Sequence, residues 1–350
     1  MKAKIGIVGT GQTVGIAHYH ALGLLADGRV EISAVYDLDT AGAARFLTDH
    51  GLDHAQVCSS YLQLLECVDA VDICTPNFTH IDYVLGAIQA GKAIFVEKPL
   101  ALSTSDSQRA VQALQGKQLF NMVGFVMRYA YAIQELRKLV QNDIGRVYTF
   151  QASYGGRRLA NPNIPVEWRM IRKFSGTGAL GDFGSHLVDL ASYTANLTFE
   201  SVGAMATTLI PHRPANLQGQ TQVENDDQAA FIARTAENAL ASFTVSRVGM
   251  DDLRLLVVGE GGLARVNLAA PESIQFLPTV GGVYNQALKE VAVAHQIPFE
   301  GWFVSEMQAF ADGLTGKMID VPDIYQGHYV ESVLEAAALA CASEAVKVKF

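Results

Sequence analysis

The chain has 350 residues, a formal net charge of −9, 49% hydrophobic residues and 17% charged residues. This length exceeds what one hydrophobic core normally holds, so we expect two domains. The acidic balance argues against nucleic acid or an anionic membrane as a partner, and no apolar run reaches the roughly 20 residues that span a bilayer. The four cysteines show neither close pairing nor zinc-ligand spacing, which predicts no metal site and a reducing, cytoplasmic location.

The chain begins with a glycine-rich loop between an apolar run and a helical pattern. The apolar run covers residues 4–8 and the helical pattern covers residues 16–25. Strand, glycine loop and helix in this order predict a dinucleotide site, in which the helix N-terminus binds the pyrophosphate. Val14 occupies the position of the usual third glycine and Gly15 follows it, which indicates a one-residue insertion. The predicted cofactor contacts in this loop are Gly9, Gly11, Gln12 and Thr13.

The second predicted strand, residues 30–36, ends at Asp37. An acidic residue near this distance from the glycine loop binds the ribose 2′-hydroxyl in dinucleotide-binding domains. A carboxylate there would repel the 2′-phosphate of NADP, and no arginine follows immediately to attract it, so the sequence favours NAD. The alternative is a plain turn, because residues 37–40 also suit a helix N-cap.

The loop after a central strand is the next candidate for cofactor binding. A strand over residues 70–74 is followed by Thr75, Asn77 and His80, and a helix then runs to residue 89. Ligands bind at the carboxyl ends of strands in open α/β sheets, so we predict that these three side chains contact the cofactor. His80 could instead be a structural residue of the first helical turn.

A charged pair, Glu97 and Lys98, ends the following strand, and Pro99 keeps the backbone extended there. We predict that both side chains reach the cofactor and that the lysine points its ammonium into a cleft. The alternative is a solvated turn, because charged residues are mostly exposed. A helix (103–115) and a strand (118–123) continue an alternation that predicts a parallel, doubly wound Rossmann sheet.

Near residue 124 the hydrophobic period changes, which predicts a second domain of the α+β class. A helix (131–141) and a strand (146–154) precede a long polar segment over residues 155–177. Loops of this length are usually functional, so the segment could close over a substrate or the cofactor. A subunit contact is the alternative, because arginine and aromatic residues favour interfaces. The predicted substrate contacts are Arg128, Trp168 and Arg169, with Asp182 and His186 from the next helix.

That helix, predicted over residues 178–196, carries Asp182 and His186 on one face because they are four positions apart. Gly181 and Gly184 are interpreted as clearing space beside this face, so that a ligand can approach the imidazole. The alternatives are a structural histidine and an N-cap aspartate.

The remaining pattern predicts a large, mostly antiparallel open sheet. Five alternating segments lie between residues 199 and 268, and two helices (302–315 and 328–345) and a terminal strand (346–350) follow. Helices can cover only one face of this sheet, so we expect the other to join subunits into a homodimer or homotetramer. The predicted domains are 1–123, which binds NAD, and 124–350, which binds substrate and oligomerises. The last helix could also pack back on the first domain.

Several motifs together resemble the glucose–fructose oxidoreductase and inositol dehydrogenase family, often written Gfo/Idh/MocA, over nearly the full chain. They are Gly9 and Gly11 with His18, residues 75–80, Gly91-Lys92, Glu97-Lys98-Pro99 and residues 178–189. The resemblance implies that Lys98, Asp182 and His186 form the catalytic group of an NAD-dependent oxidoreductase.

The implied reaction is oxidation of a secondary alcohol on a sugar, inositol or related polyol. His186 would take the hydroxyl proton, because imidazole titrates near neutrality, and Lys98 would stabilise negative charge on the same oxygen. Asp182 would orient Lys98 or the substrate hydroxyl, and the reverse roles of Lys98 and His186 fit the same residues. Two other classes stay open: an NAD-dependent glycoside hydrolase and a non-catalytic dinucleotide-binding sensor.

Overall fold

The computed structural model describes residues 2–11, 15–249, 252–269, 273–279, 287–293 and 297–343. The predicted terminal strand over residues 346–350 lies outside this part of the chain. The strands are β1 (Ala3–Val8), β2 (Val30–Tyr36), β3 (Gln56–Val57), β4 (Ala70–Ile73), β5 (Ala93–Glu97), β6 (Asn121–Gly124), β7 (Val147–Gly155), β8 (Phe199–Thr207), β9 (Gln228–Thr235), β10 (Leu240–Ser246), β11 (Asp252–Gly259), β12 (Gly262–Asn267), β13 (Ser273–Pro278) and β14 (Lys289–Ala292). The helices are α1 (Ile16–Leu25), α2 (Thr40–Asp49), α3 (Tyr61–Cys67), α4 (His80–Gln89), α5 (Thr104–Leu114), α6 (Tyr131–Leu139), α7 (Arg172–Ser175), α8 (Ala179–Asp182), α9 (Gly184–Ala195), α10 (Phe299–Leu314) and α11 (Ile324–Ala342).

The chain divides into two compact units. The first unit comprises Met1–Tyr129 with Ile297–Tyr329, and the second comprises Ala130–Gln296 with Val330–Phe350. Helix α10 and the start of α11 therefore group with the first unit, whereas the sequence analysis placed the boundary between residues 123 and 124. In the described part of the chain, every helix is too short or too polar to cross a membrane.

The first unit contains a six-stranded parallel sheet in the order β3-β2-β1-β4-β5-β6. Ile5 of β1 pairs with Ile32 of β2 on one side and with Ala70 of β4 on the other. The predicted doubly wound Rossmann sheet is confirmed. The strand order reverses between β1 and β4, and ligands of such sheets bind at the carboxyl ends of the strands beside this switch point.

The central strands of this sheet are largely apolar and buried because helices cover both faces. Ile5, Ile7 and Phe95 are fully buried, and Phe310 of α10 is buried in the same core as Phe95. The side chain of Asp39 accepts a hydrogen bond from the N–H of Gly42 and caps α2. Asp39 rather than Asp37 is therefore the capping residue, which leaves Asp37 available for another role.

The second unit contains an eight-stranded sheet in the order β14-β13-β12-β11-β7-β10-β9-β8. Among the described strands of this sheet, β7 and β10 pair in parallel and the other pairs are antiparallel, so the prediction of a mostly antiparallel sheet is confirmed. Helices α6, α8 and α9 contact its strands, and Phe231 and Phe243 stack in its core with ring centroids 4.5 Å apart.

The predicted helix over residues 178–196 is divided into α8 and α9 at Phe183. A Cβ atom on Gly181 would lie 2.4 Å from Thr177 Oγ1, and one on Gly184 would lie 3.1 Å from Leu334 Cδ2. The interpretation that these glycines clear space for a ligand is therefore wrong, because protein side chains occupy that space.

Candidate cofactor and catalytic site

The glycine loop after β1 packs tightly at one glycine and is open at the other. Gly9 has a φ angle of +88°, and a Cβ atom there would lie 2.8 Å from the Thr75 side chain. Nothing lies within 4 Å of the position of a Cβ atom on Gly11. This combination fits a loop that turns sharply and lets a pyrophosphate approach the backbone. Gln12 and Thr13 lie outside the described residues.

The carboxylate of Asp37 is held at the end of β2, next to this loop. Asp37 Oδ2 accepts hydrogen bonds from the backbone N–H of Thr10, at 2.7 Å, and from the Thr10 hydroxyl, at 3.2 Å. Asp37 Oδ1 accepts from the N–H of Asp39 at 2.9 Å, and the residue stays half-buried. The sequence analysis missed Thr10, whose only sequence feature was a hydroxyl between two glycines.

The loop after β4 is fixed by His80. The Nδ1 and Nε2 atoms of His80 lie 2.8 Å and 2.7 Å from the carbonyl oxygens of Pro99 and Thr75. Burial lowers the pKa of the His80 imidazole, and the two carbonyl acceptors oppose that shift. His80 therefore joins this loop to the segment after β5, while Asn77 is half-buried in a 3₁₀ turn, Asn77–Thr79. Contacts of Thr75, Asn77 and His80 with a cofactor stay predictions.

The charged pair at the end of β5 has one buried and one half-buried member. Glu97 is 8% exposed, and its Oε2 atom accepts a hydrogen bond of 3.1 Å from the backbone N–H of Lys98. Its Oε1 atom lies 3.4 Å from Nε2 of the buried His20. Glu97 thus faces the interior of the unit, and Lys98 is half-buried at the carboxyl end of the strand. The alternative interpretation, a solvated turn, does not fit Glu97, because this side chain is buried.

The second unit positions Asp182 at the end of α8 and His186 in the first turn of α9. The carboxylate of Asp182 lies 3.6 Å from Nη2 of Arg247, whose side chain is 4% exposed. His186 is 5% exposed, and its ring lies edge-on to Tyr154 with centroids 6.1 Å apart. The buried guanidinium supplies a positive charge directly beside the candidate catalytic carboxylate.

Two predicted substrate residues belong to the same unit as Asp182. The guanidinium of Arg169 lies 4.2 Å from the centre of the Trp168 ring. Burial lowers the pKa of Arg169, and Asp182 and Glu167 oppose that shift. Arg247 donates to the carbonyl of Arg169 at 3.0 Å, so it links the Trp168–Met170 turn to the position of Asp182. The sequence analysis missed Arg247, which only marks the end of a predicted strand.

The third predicted substrate residue, Arg128, is buried in the 3₁₀ turn Val126–Tyr129 of the first unit. The four cysteines (Cys58, Cys67, Cys74 and Cys341) are all thiols without a disulfide.

A parallel sheet in this strand order, a glycine loop and an acid at the end of β2 are the features of a dinucleotide-binding Rossmann domain. Residues 3–125 match the model of the oxidoreductase family with an NAD-binding Rossmann fold, and residues 133–265 match that of the GFO/IDH/MocA C-terminal domain. The chain belongs to the Gfo/Idh/MocA family, so the resemblance seen in the sequence is confirmed.

The curated relatives include several sugar and inositol dehydrogenases. Levoglucosan dehydrogenase from Pseudarthrobacter phenanthrenivorans is 33% identical over 194 residues, which cover 51% of this chain and 50% of that protein. Glucose-6-phosphate 3-dehydrogenase from Bacillus subtilis is 24% identical over 95% of this chain and 94% of its own. Inositol 2-dehydrogenase 3 from Saccharopolyspora erythraea is 28% identical over 96% of this chain and 92% of its own.

A solved structure of levoglucosan dehydrogenase in complex with NADH and levoglucosan has the same fold. Its TM-score is 0.88 at 24% identity, and the match covers 98% of both chains. Taken with the family models, these relatives make the chain an NAD-binding oxidoreductase of the sugar or inositol dehydrogenase type.

Proposed function

We propose that this protein is an NAD-dependent dehydrogenase that oxidises a secondary alcohol of a sugar, inositol or related polyol. The observation that carries the proposal is the position of Lys98 at the carboxyl end of β5. This strand neighbours β4, and the loops at Gly9 and Thr75 follow the two strands of the switch point. Lys98 thus leaves the sheet at the edge where the nicotinamide of a dinucleotide binds in such folds.

In the proposed reaction, Lys98, Asp182 and His186 act on the substrate hydroxyl. NAD, when bound, supplies the hydride acceptor. His186 takes the hydroxyl proton, and the Lys98 ammonium stabilises the negative charge that develops on the same oxygen. Asp182 orients Lys98 or the hydroxyl, and Arg247, 3.6 Å away, holds its carboxylate in place. The reverse arrangement uses Lys98 as the base and His186 as the donor.

The substrate and cofactor contacts complete the proposal. Arg128, Trp168 and Arg169 contact the substrate, together with Asp182 and His186. The cofactor contacts are Gly9, Gly11, Gln12, Thr13, Asp37, Thr75, Asn77, His80 and Lys98, and Glu97 acts through its contact with the Lys98 backbone. In functional terms the first unit binds the cofactor, and the second binds the substrate.

A panel of alcohols tests this function directly. Purified protein and NAD are mixed with levoglucosan, myo-inositol, glucose 6-phosphate and related polyols, and NADH absorbance is followed. We expect NADH with at least one of them.

The comparisons give no support to the glycoside hydrolase or the sensor, and both have distinct outcomes in the same assay. A glycosidase would release aglycone from aryl glycosides, and a sensor would bind NAD without turning over any compound.

Asp37 gives a prediction about cofactor choice. Replacing Asp37 with serine removes a charged acceptor for the ribose hydroxyl, so kcat/KM with NAD should fall about 10- to 100-fold. The preference for NAD over NADP should shrink, because the repulsion of a 2′-phosphate is lost. Steady-state kinetics with both cofactors measure the effect. Asp39→Ser is the matched control, because serine also caps helices well. Unchanged kinetics in Asp37→Ser would contradict the assignment.

We further propose a cytoplasmic homodimer or homotetramer that forms through the open sheet of the second unit. Ile232 of β9 lies on the open face of this sheet and is 60% exposed. Its neighbours across the two adjacent strands are the small residues Ser242 and Gly203. A concavity of about 630 Å³ continues along this face and is lined by residues that include Gln151, Ser242 and Arg254. Light scattering should give two or four times the mass of 37.7 kDa. A monomer at micromolar concentration would rule out this assembly.

A further inference from the structure

A buried polar cluster in the first unit centres on His20 of α1. The His20 side chain is fully buried, as is that of Asp72 on β4. Glu97 of β5 and Glu306 of α10 are also buried, and Cys74 follows β4. The cluster therefore connects α1, β4, β5 and α10 next to the carboxyl end of β5. The proposed reaction assigns no role to His20, Asp72 or Glu306.

Both ring nitrogens of His20 face carboxylates. Nδ1 lies 3.0 Å and 3.1 Å from the two carboxylate oxygens of Asp72, and Nε2 lies 3.4 Å from Glu97 Oε1. The ring packs edge-on to Phe95, with centroids 5.0 Å apart, and near Phe303, with centroids 5.8 Å apart. The Nε2–Oε1 contact is an ion pair and not a hydrogen bond, and the negative charges of the two carboxylates stabilise the ring between them as the imidazolium.

The electrostatics of the cluster agree with this geometry. Burial lowers the pKa of His20, but Asp72 and Cys74 outweigh it, and the pKa lies well above its usual value. Burial also raises the pKa of the Cys74 thiol, so Cys74 is uncharged at neutral pH and Asp72 is the effective partner. The groups that face His20 are thus Asp72 and Cys74 from the β4 side, Glu97 from β5 and Glu306 from α10.

The Glu97 carboxylate connects His20 to Lys98. One oxygen faces His20 Nε2, and the other accepts the backbone N–H of Lys98. The neighbouring strand leaves room for this carboxylate only because it carries Gly124 there. A Cβ atom on Gly124 would lie 2.6 Å from Glu97 Oε1. The carboxylate therefore occupies a closed slot between a charged ring and the backbone of the candidate catalytic residue.

We propose that His20 is a positioning residue for Lys98. Its imidazolium holds the Glu97 carboxylate, and the carboxylate fixes the backbone N–H from which the Lys98 side chain leaves β5. The proposal rests on the proposed function, in which Lys98 is catalytic. His20 lies on the helix that follows the glycine loop, so the same contact ties the cofactor-binding helix to the catalytic strand end.

His20→Gln tests the proposal, because glutamine keeps hydrogen-bonding groups but carries no charge. We expect kcat to fall about 10- to 100-fold, since small displacements of a catalytic group cost this much, while KM for NAD and the alcohol changes less than about threefold. The alkaline limb of the kcat profile should move to higher pH, because Glu97 without its imidazolium raises the pKa of the Lys98 ammonium. A residue with only a structural role would lower the active fraction and leave this limb in place.

His328→Gln is the matched control, because it makes the same substitution at a histidine of the same unit whose Nδ1 contacts a hydroxyl, Ser107 Oγ at 2.8 Å, and no carboxylate of the His20 cluster. NMR of ¹³C-labelled lysine, assigned with Lys98→Ala, follows the Lys98 ammonium without any turnover. A higher Lys98 pKa in His20→Gln supports the proposal, and an unchanged one overturns it. Wild-type protein that oxidises no alcohol would defeat the proposed function separately.

Two further outcomes are decisive. If His20→Gln does not fold, Glu97→Gln replaces it and should lower kcat and also lower the Lys98 pKa, because a negative charge is removed. Unchanged values in Glu97→Gln would overturn the proposal.

Elemental analysis of the wild type is the last check. A stoichiometric divalent cation bound at His20 would need an unprotonated Nε2, so finding one would overturn the proposal that His20 acts as an imidazolium.

Discussion

Replacing Lys98 with alanine is expected to lower kcat with NAD by about 10²- to 10³-fold. Loss of one group that stabilises developing negative charge on oxygen typically costs this much. Lys98 is half-buried at the end of β5, so its ammonium acts where screening by water is reduced. The affinity for NADH, measured by fluorescence titration, should change far less than kcat.

Lys92→Ala provides the comparison for Lys98→Ala. Lys92 precedes β5, at the opposite end of the strand, and its ammonium donates a hydrogen bond of 2.7 Å to the carbonyl of Val68. Its loss should cost about 1 kcal/mol of stability and leave kcat unchanged. If the two variants lose activity equally, or if Lys98→Ala retains wild-type kcat, then Lys98 has no catalytic role.

Replacing His186 with asparagine is expected to lower kcat by about 10²- to 10⁴-fold, the usual contribution of a general base. Asparagine is similar in size but takes no proton. In the wild type, kcat/KM should fall at acid pH, because only the neutral ring accepts the hydroxyl proton. In His186→Asn this acid limb should be absent, which a pH series of kcat/KM measures.

The same pH series decides between the two assignments of base and donor. If Lys98 is the base, the acid limb stays in His186→Asn. His212→Asn is the control, because His212 is an exposed histidine of the same unit. A His186→Asn variant with the kinetics of His212→Asn would remove His186 from the mechanism.

The elements of the Rossmann unit were predictable because each is marked by a local pattern, a short apolar run for a strand or a helical period for a helix. The second strand, for example, was predicted over 30–36, the same bounds that the structure gives for β2. The edge strand β14 was missed, since its residues are mostly exposed and show no alternating burial. The break at Phe183 was also missed, because both short helices continue one hydrophobic period.

The residues proposed for the candidate site come from motifs in the sequence, but the contacts that support them do not. Glu97, Lys98, Asp182 and His186 belong to recognisable motifs, whereas the partner of Glu97 is His20, far away in the sequence. Asp182 and Arg247 are also far apart along the chain. Spacing in one sequence carries no information on which distant charges meet in the folded chain. Nor does spacing show which side chains pack beside a glycine, such as Leu334 beside Gly184.

The hydrogen bonds from Thr10 to Asp37 have a consequence for the thermodynamics of coenzyme binding. The main chain and hydroxyl of Thr10 immobilise the acidic side chain in advance, so little conformational entropy is lost there when an adenosine ribose docks. Such preorganisation should make affinity at the adenosine end sensitive to position 10. A residue outside the predicted set of cofactor contacts would then help to set that affinity.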